Sequence, residues 1–416
     1  MTVLARTRSA TTWWDWRWGA PALIALAVFA IDAWAVPPFF VHPITAGRPD
    51  YFYLADAFLH GRLWVDVPWG PGTADLIFRD GHPYMPFQPF PGLLLMPLVA
   101  LAGLQQAIAL ESLVNAAITG AGAALAWVLI GRYGVRRSGD RLALTMLFCF
   151  GTVVWNITER GGVWHTAELV AAALTLGALI EARAERPRPW VLGILGGAAF
   201  LTRSTMLFAL PYYAWVAAGS PTDAAGFRRA IRTGTRPVAE LTAVVVPFAV
   251  ATLWYDQARF GSPFETGYGL ATLPPFLEAL RQQGLFSPVH IAMNLDYLFL
   301  RMPTILPASP WLTPDKLGMS VLFTSPALVV GLRSLADSRQ ARVLGLAGLA
   351  VLMPTLLYYG GGWVQFGYRY LVDSIPFWFA LCALWAARRG VGPVWRAAIG
   401  WSVVVNAWLV YCALTS

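Results

Sequence analysis

Two neighbouring stretches decide how this chain is read: the apolar run APALIALAVFAIDAWAVPPFF at residues 20–40 and, shortly after it, DYFYLADAFLHGRL at residues 50–63. The first is long enough to cross a bilayer, which takes about 20 apolar residues. It follows a basic start (Arg6, Arg8, Arg17) and shows no small-residue cleavage site, so it reads as a retained first span. The second places Phe52, Ala55, Leu59 and, off by one, Leu63 at helical spacing, and predicts an amphipathic helix lying at the membrane surface. That helix starts near Asp50, whose carboxylate is suited to cap it. Capping is the plain alternative to a chemical role for Asp50. Asp56 points to a different face and suits pairing with Arg62 or His60.

The rest of the chain agrees with a membrane setting. Of 416 residues, 57% are hydrophobic and only 12% charged, with 20 Trp and a mean hydropathy of +0.56. Soluble proteins carry roughly 25% charged residues, so a soluble enzyme and a disordered tail are both excluded. The net charge of +8 is almost all arginine, Lys316 being the one lysine. A basic balance often signals nucleic-acid binding, but here the arginines cluster between apolar runs, the pattern of topology signals. Cys149, Cys382 and Cys412 lie in apolar segments without metal-type spacing and read as small buried hydrophobes.

Cytoplasmic loops are enriched in Lys and Arg. Placing the clusters Arg6/Arg8/Arg17, Arg132/Arg136/Arg137/Arg141, Arg183/Arg186/Arg188, Arg228/Arg229/Arg232/Arg236, Arg333/Arg339/Arg342 and Arg388/Arg389/Arg396 inside gives an all-α chain of about eleven spans. Residues 1–18 are then a cytoplasmic N-terminus. Residues 41–106 form a first external loop holding the surface helix and a Pro-flanked re-entrant helix over 90–104, and 256–317 form a second large external loop. The whole chain, 1–416, reads as a single integral membrane domain. The stretch 190–218 is predicted as two short helices with Arg203 at the turn, a charge that is costly inside the membrane unless it is paired or faces a wet cavity.

With the sides assigned, the remaining polar residues gather on the external face. They include Asp50, Asp56, His60, Arg62, Asp66, Asp75, Arg79, Asp80 and His82, then Glu159, Arg160, His165 and Glu168, then Arg203, then Asp256, Arg259 and Glu265. Gln365, Tyr368, Arg369, Tyr370 and Asp373 close the series. Loops that merely connect spans need no such mixture, so these loops are expected to converge on one site.

A first span followed by a helix of the form Asp-Tyr, Leu-Ala, Leu and Gly-Arg-Leu resembles the GT-C superfamily of integral membrane glycosyltransferases. Three further stretches resemble it: the Pro-rich run Pro86-Phe-Gln-Pro89-Phe-Pro91-Gly-Leu-Leu-Leu, the turn Gly196-Gly-Ala-Ala-Phe-Leu-Thr-Arg203, and Tyr368-Arg369-Tyr370-Leu-Val-Asp373-Ser-Ile-Pro376. Two features depart from the family pattern. Asp50-Tyr51 stands where many members carry an Asp-Glu pair, and the C-terminal periplasmic domain of larger members has no counterpart here. The resemblance implies an enzyme of the bacterial cytoplasmic membrane, with its site facing outward. It would move a sugar from a polyprenyl-phosphate donor to a lipid, glycan or protein acceptor. It leaves the sugar and acceptor open, and with them a divalent cation as a cofactor.

Such a transfer needs a general base on the attacking hydroxyl, cations on the departing phosphate and an apolar groove for the lipid tail. On the resemblance Asp50 is the base and the inversion a single displacement. Arg203 and Arg369 lead as phosphate ligands, with Arg160 and Arg259 behind them; His165, Tyr368 and Glu265 contact substrate, and Asp56, Arg62, Gln365 and Asp373 support the site.

Plainer readings stand beside these. His165, near Glu159 and Glu168, also fits a hydrogen-bonded interfacial residue, and the Arg259–Tyr268 loop a surface turn that caps the span before it. Trp13, Trp14, Trp16 and Trp18 fit an interfacial belt, and Gly360–Gly362 before Trp363 a hinge or a tight turn. A transporter or flippase for a lipid-linked sugar would use the same arginines but place charges deep in several spans. A non-catalytic relative would not need Asp50.

Overall fold

The computed structural model describes residues 13–35, 48–70, 73, 75–221, 223, 225–226, 228, 234–362 and 365–415, with side chains in the first helix from 19 to 34. Arg6, Arg8, Arg229, Arg232 and Trp363 therefore lie outside the described residues, as do the side chains of Trp13, Trp14, Trp16, Arg17 and Trp18.

The chain is an all-α polytopic membrane protein. Its first ten helices are α1 (Trp13–Ala35), α2 (Asp50–Leu59), α3 (Phe90–Ala102), α4 (Leu104–Ala109), α5 (Glu111–Arg132), α6 (Ser138–Phe150), α7 (Val154–Arg160), α8 (Val163–Ala182), α9 (Pro189–Phe200) and α10 (Leu210–Ala217). Of the later helices, the long ones are α11 (Thr235–Phe260), α12 (Arg339–Leu357), α13 (Ile375–Arg389) and α14 (Pro393–Thr415). Proline in the first turn opens α3, α9, α10 and α13, where its missing N–H would have no partner anyway.

Helices α5, α8, α11, α12 and α14 are each long and apolar enough to cross a membrane, and α6 with α7 forms a sixth such unit bent by 49°. These six coincide with six of the eleven expected crossings. The other five expectations fall on α1, α9, the 3-10 turn Ser204–Ala209 with α10, the broken stretch from Val321 to Ala336, and α13. Helix α1 has 23 residues, as many as α14; the other four are shorter or interrupted, so length alone does not make them spans.

Helices α1, α5, α8, α9 and α11 pack in that order, each against the next. The close approach of α9 to α11 needs small residues: a Cβ on Gly197 would collide with the Phe248 ring. Almost the whole of α13 is buried, against α12, α8 and the 3-10 turn Val330–Ala336. Helix α11 instead exposes Val246, Val250, Leu253 and Trp254, a surface suited to lipid.

One expectation changes here. Helix α2 is packed on both faces instead of leaving one exposed: Tyr51, Phe52, Tyr53, Leu54, Ala55 and Ala57 are all buried, in a second core with α3, α4 and the hairpin Ile77–Arg79/His82–Tyr84. The helix has too few polar residues to keep a face in water, and α3 covers the side the periodicity assigned to solvent.

Candidate functional site

Asp50 opens α2 but does not cap it. Pro49 occupies the cap position, and no side chain bonds the free N–H groups there. The carboxylate is wholly buried, its Oδ2 lies 2.9 Å from the Arg48 guanidinium, and its Oδ1 has no hydrogen-bond partner among the described residues. Burial pushes this carboxyl up to about 6, with Arg48 opposing the rise and Asp75 adding to it. An acid held there is ionised at neutral pH yet basic enough to accept a proton.

Arg48 is fixed from behind, because its carbonyl accepts from the Val163 N–H at the start of α8 at 3.0 Å. The break between α7 and α8 is made by Gly161 and Gly162, at φ +60° and +96°, a region favourable to glycine. Glu111 Oε1 secures the break by accepting from Gly162 N–H at 2.9 Å. Asn115 does the same for α8 by accepting from Thr166 at 3.0 Å.

The arginines converge on one carboxylate. Glu168, enclosed on α8, accepts from Arg369 at 2.7 Å and lies 3.7 Å from Arg203. Arg203 also pairs with Asp373 at 2.6 Å, and Thr205 donates to the other oxygen of Asp373 at 2.7 Å. Gln365 accepts from the Arg369 backbone N–H at 2.8 Å, which positions that arginine directly. Arg160 sits over the Phe366 ring at 5.2 Å, within electrostatic reach of Arg369 and His165. Two guanidiniums thus share two carboxylates, with a third guanidinium near them, in a place of low dielectric where charges act strongly on an anion.

Asp75 joins the two halves, lying within electrostatic reach of Asp50, Arg48 and Arg369. Between them runs an aromatic wall. Phe87 packs against Tyr51, Trp164 and Tyr268 at 6.3, 6.4 and 6.4 Å, and Tyr358 packs against Tyr268 and Tyr370 at 6.1 Å each. The Arg369 guanidinium lies 4.5 Å from the Tyr370 centroid and 5.7 Å from that of Trp164.

The remaining expected residues are elsewhere or already engaged. Arg259 is fully buried, and three of its five N–H donors are engaged by Tyr255 O, Met85 O and Asp256, the geometry of a clamp between α11 and the segment that follows the hairpin. Asp56 pairs with Arg62 at 3.3 Å and with His60 at 3.6 Å, as the helical spacing predicted. Glu265 accepts from Gly267 N–H at 2.7 Å and shapes its own turn. Tyr368 bonds Asn294 at 3.3 Å within the core, and the His165 ring meets the Gly161 carbonyl, the plainer of its two readings.

The site also holds Arg48, which the sequence reading does not name, although the run Arg48-Pro49-Asp50 does set a cation next to the acid; Asp75 is named there only among the external charges. Among the described residues no group of three or more His, Cys, Asp and Glu could hold a metal. Asp50 and Asp75 face Arg48, whereas a hard divalent cation wants about six oxygens and no competing cation. These residues do not fit one.

No protein-family model and no curated protein matches the chain by sequence. Solved structures similar to it include two membrane-protein crystal structures. One is the apo crystal structure of ArnT from Cupriavidus metallidurans, at 13% identity and a TM-score of 0.49 over 89% of this chain. The other is the apo oligosaccharyltransferase of Archaeoglobus fulgidus, at 13% identity and 0.47 over 96%. The chain spans 60% and 55% of their lengths.

Proposed function

We propose that this chain is a membrane glycosyltransferase of the GT-C type, using a polyprenyl-phosphate sugar and working at the outer face of the cytoplasmic membrane. The observation that carries the reading is a wholly buried carboxylate, Asp50, with one oxygen unengaged, joined through Asp75 to a cluster of guanidiniums. In the proposed reaction Asp50 takes the proton of the acceptor hydroxyl as its oxygen attacks the anomeric carbon. The bond from that carbon to the phosphate oxygen breaks, and the phosphate leaves as an anion. Arg203 and Arg369 bind that anion, Arg160 adds charge behind them, and Glu168 and Asp373 aim both guanidiniums. One displacement inverts the anomeric centre. The aromatic wall offers apolar surface to the sugar and the first part of the lipid.

The test is turnover by the purified protein of a set of polyprenyl-phosphate sugars, followed as release of lipid phosphate. Asp50→Asn should lower the rate by about 10²–10⁴-fold, the usual contribution of a general base, in a protein that still inserts and melts normally. Near-normal turnover in that variant would remove Asp50 from the role. Passage of an intact lipid-linked sugar across liposomes, without transfer or hydrolysis, would replace the reading with a transporter.

A further inference from the structure

Beside the Asp50 site, residues between Arg62 and Gly70 and between Phe78 and Pro83 line an open cavity of about 340 Å³. Small-molecule sites begin at roughly 300 Å³ and combine apolar or aromatic walls with a few placed polar groups. Here Trp64 and Trp69 supply the rings, and Arg62, Asp66 and His82 the polar groups. Both indoles are held in place: Trp64 stacks on His82 at 4.4 Å with 25° between the planes, and Trp69 meets Tyr53 edge-on at 5.5 Å. The Asp66 side chain is 83% exposed and 3.9 Å from Arg62, which leaves most of its accepting capacity for a ligand.

Fixed flat rings beside planar polar groups suit a sugar. The C–H face of a pyranose is apolar and lies well on an indole, while its hydroxyls both donate and accept and match a carboxylate and a guanidinium. Position adds a second argument. The Arg48 guanidinium lies 5.5 Å from the Trp69 centroid and 2.9 Å from Asp50, so a wall of the cavity and the proposed base share a residue. Neither Arg203 nor Arg369 lines the cavity.

We propose that this cavity binds a saccharide, and that the saccharide is the acceptor, presenting its hydroxyl to Asp50 from the Trp69 side. The second half rests on the glycosyltransferase reading; the first does not. The experiment is saturation-transfer NMR on the full chain in detergent micelles, with a panel of methyl hexosides and pentosides as probes. At least one glycoside should bind the wild type and Asp50→Asn alike. Its affinity should fall about tenfold in Trp64→Ala and in Asp66→Asn and be kept in Trp64→Phe, which retains the flat ring and controls for folding. No binding by any glycoside, or equal binding in Trp64→Ala, would overturn the proposal. In turnover assays the two weakening variants should raise the KM for acceptor more than that for the lipid donor, and the reverse would overturn the acceptor assignment. Glycoside binding by a protein without transferase activity would sink the glycosyltransferase reading while leaving the saccharide site in place.

Discussion

Helix α8 carries a glutamate–arginine pair at each end, both closed at 2.7 Å. At its far end Glu181 meets Arg188, seven residues on, and the Arg188 side chain is 59% exposed. At its start Glu168, wholly enclosed, meets Arg369, 201 residues away, with Arg203 nearby. The two glutamates stand thirteen residues apart on α8, about 20 Å of helix at 1.5 Å per residue. Equal distances conceal unequal physics. Glu181 is itself buried, but water and ions reach the Arg188 end and weaken that pair. The Glu168 pair is desolvated, so its charges act strongly on one another and on any anion that enters.

The comparison breaks first on stability. Glu168→Gln leaves Arg203 and Arg369 without their shared counter-charge and should cost about 3–5 kcal/mol, as removal of one buried ionic partner commonly does. Thermal unfolding in detergent measures it, and a melting point equal to the wild type would show that the enclosed pair is no stronger than the exposed one. Activity comes next. Arg203→Gln and Arg369→Gln should each lower turnover by about 10²–10³-fold, the usual effect of losing one preorganised donor to a developing anion. Arg188→Gln should leave turnover unchanged, and a matching loss there would assign the effect to folding instead of phosphate binding.

The smallest effect is a displacement along the pH axis. Burial holds the Asp50 carboxyl at about 6, and a base works when deprotonated, so kcat/KM should climb as pH rises through that value. Arg48 favours the ionised form. Arg48→Gln should therefore move the rising limb to higher pH, and a limb that stays in place would break the assignment of that limb to Asp50.

Much of the frame was legible in the apolar runs, because a bilayer accepts only segments that satisfy their own backbone. The break at Arg203 was readable too, since neither half of 190–218 is long enough to cross a ~30 Å core upright. Asp50 was legible as an acid at a helix start, but not as one without a capping bond, because Pro49 takes the cap position. Arg259 shows the converse. The sequence places it behind Arg203 as a phosphate ligand, and a carbonyl from Met85, 174 residues away, uses one of its donors.

The sequence by itself determined that this chain lives in a membrane, where most of its helices lie, and that its few acids and arginines outside the basic clusters repay attention. Composition and spacing carry that information because partition into lipid depends on local polarity. Only the tertiary structure decided which arginines point at one carboxylate and which are spent on backbone, and that Arg48 stands beside Asp50. The chemical use of a guanidinium depends on whether its donors are already taken, and the groups that take them come from distant parts of the chain.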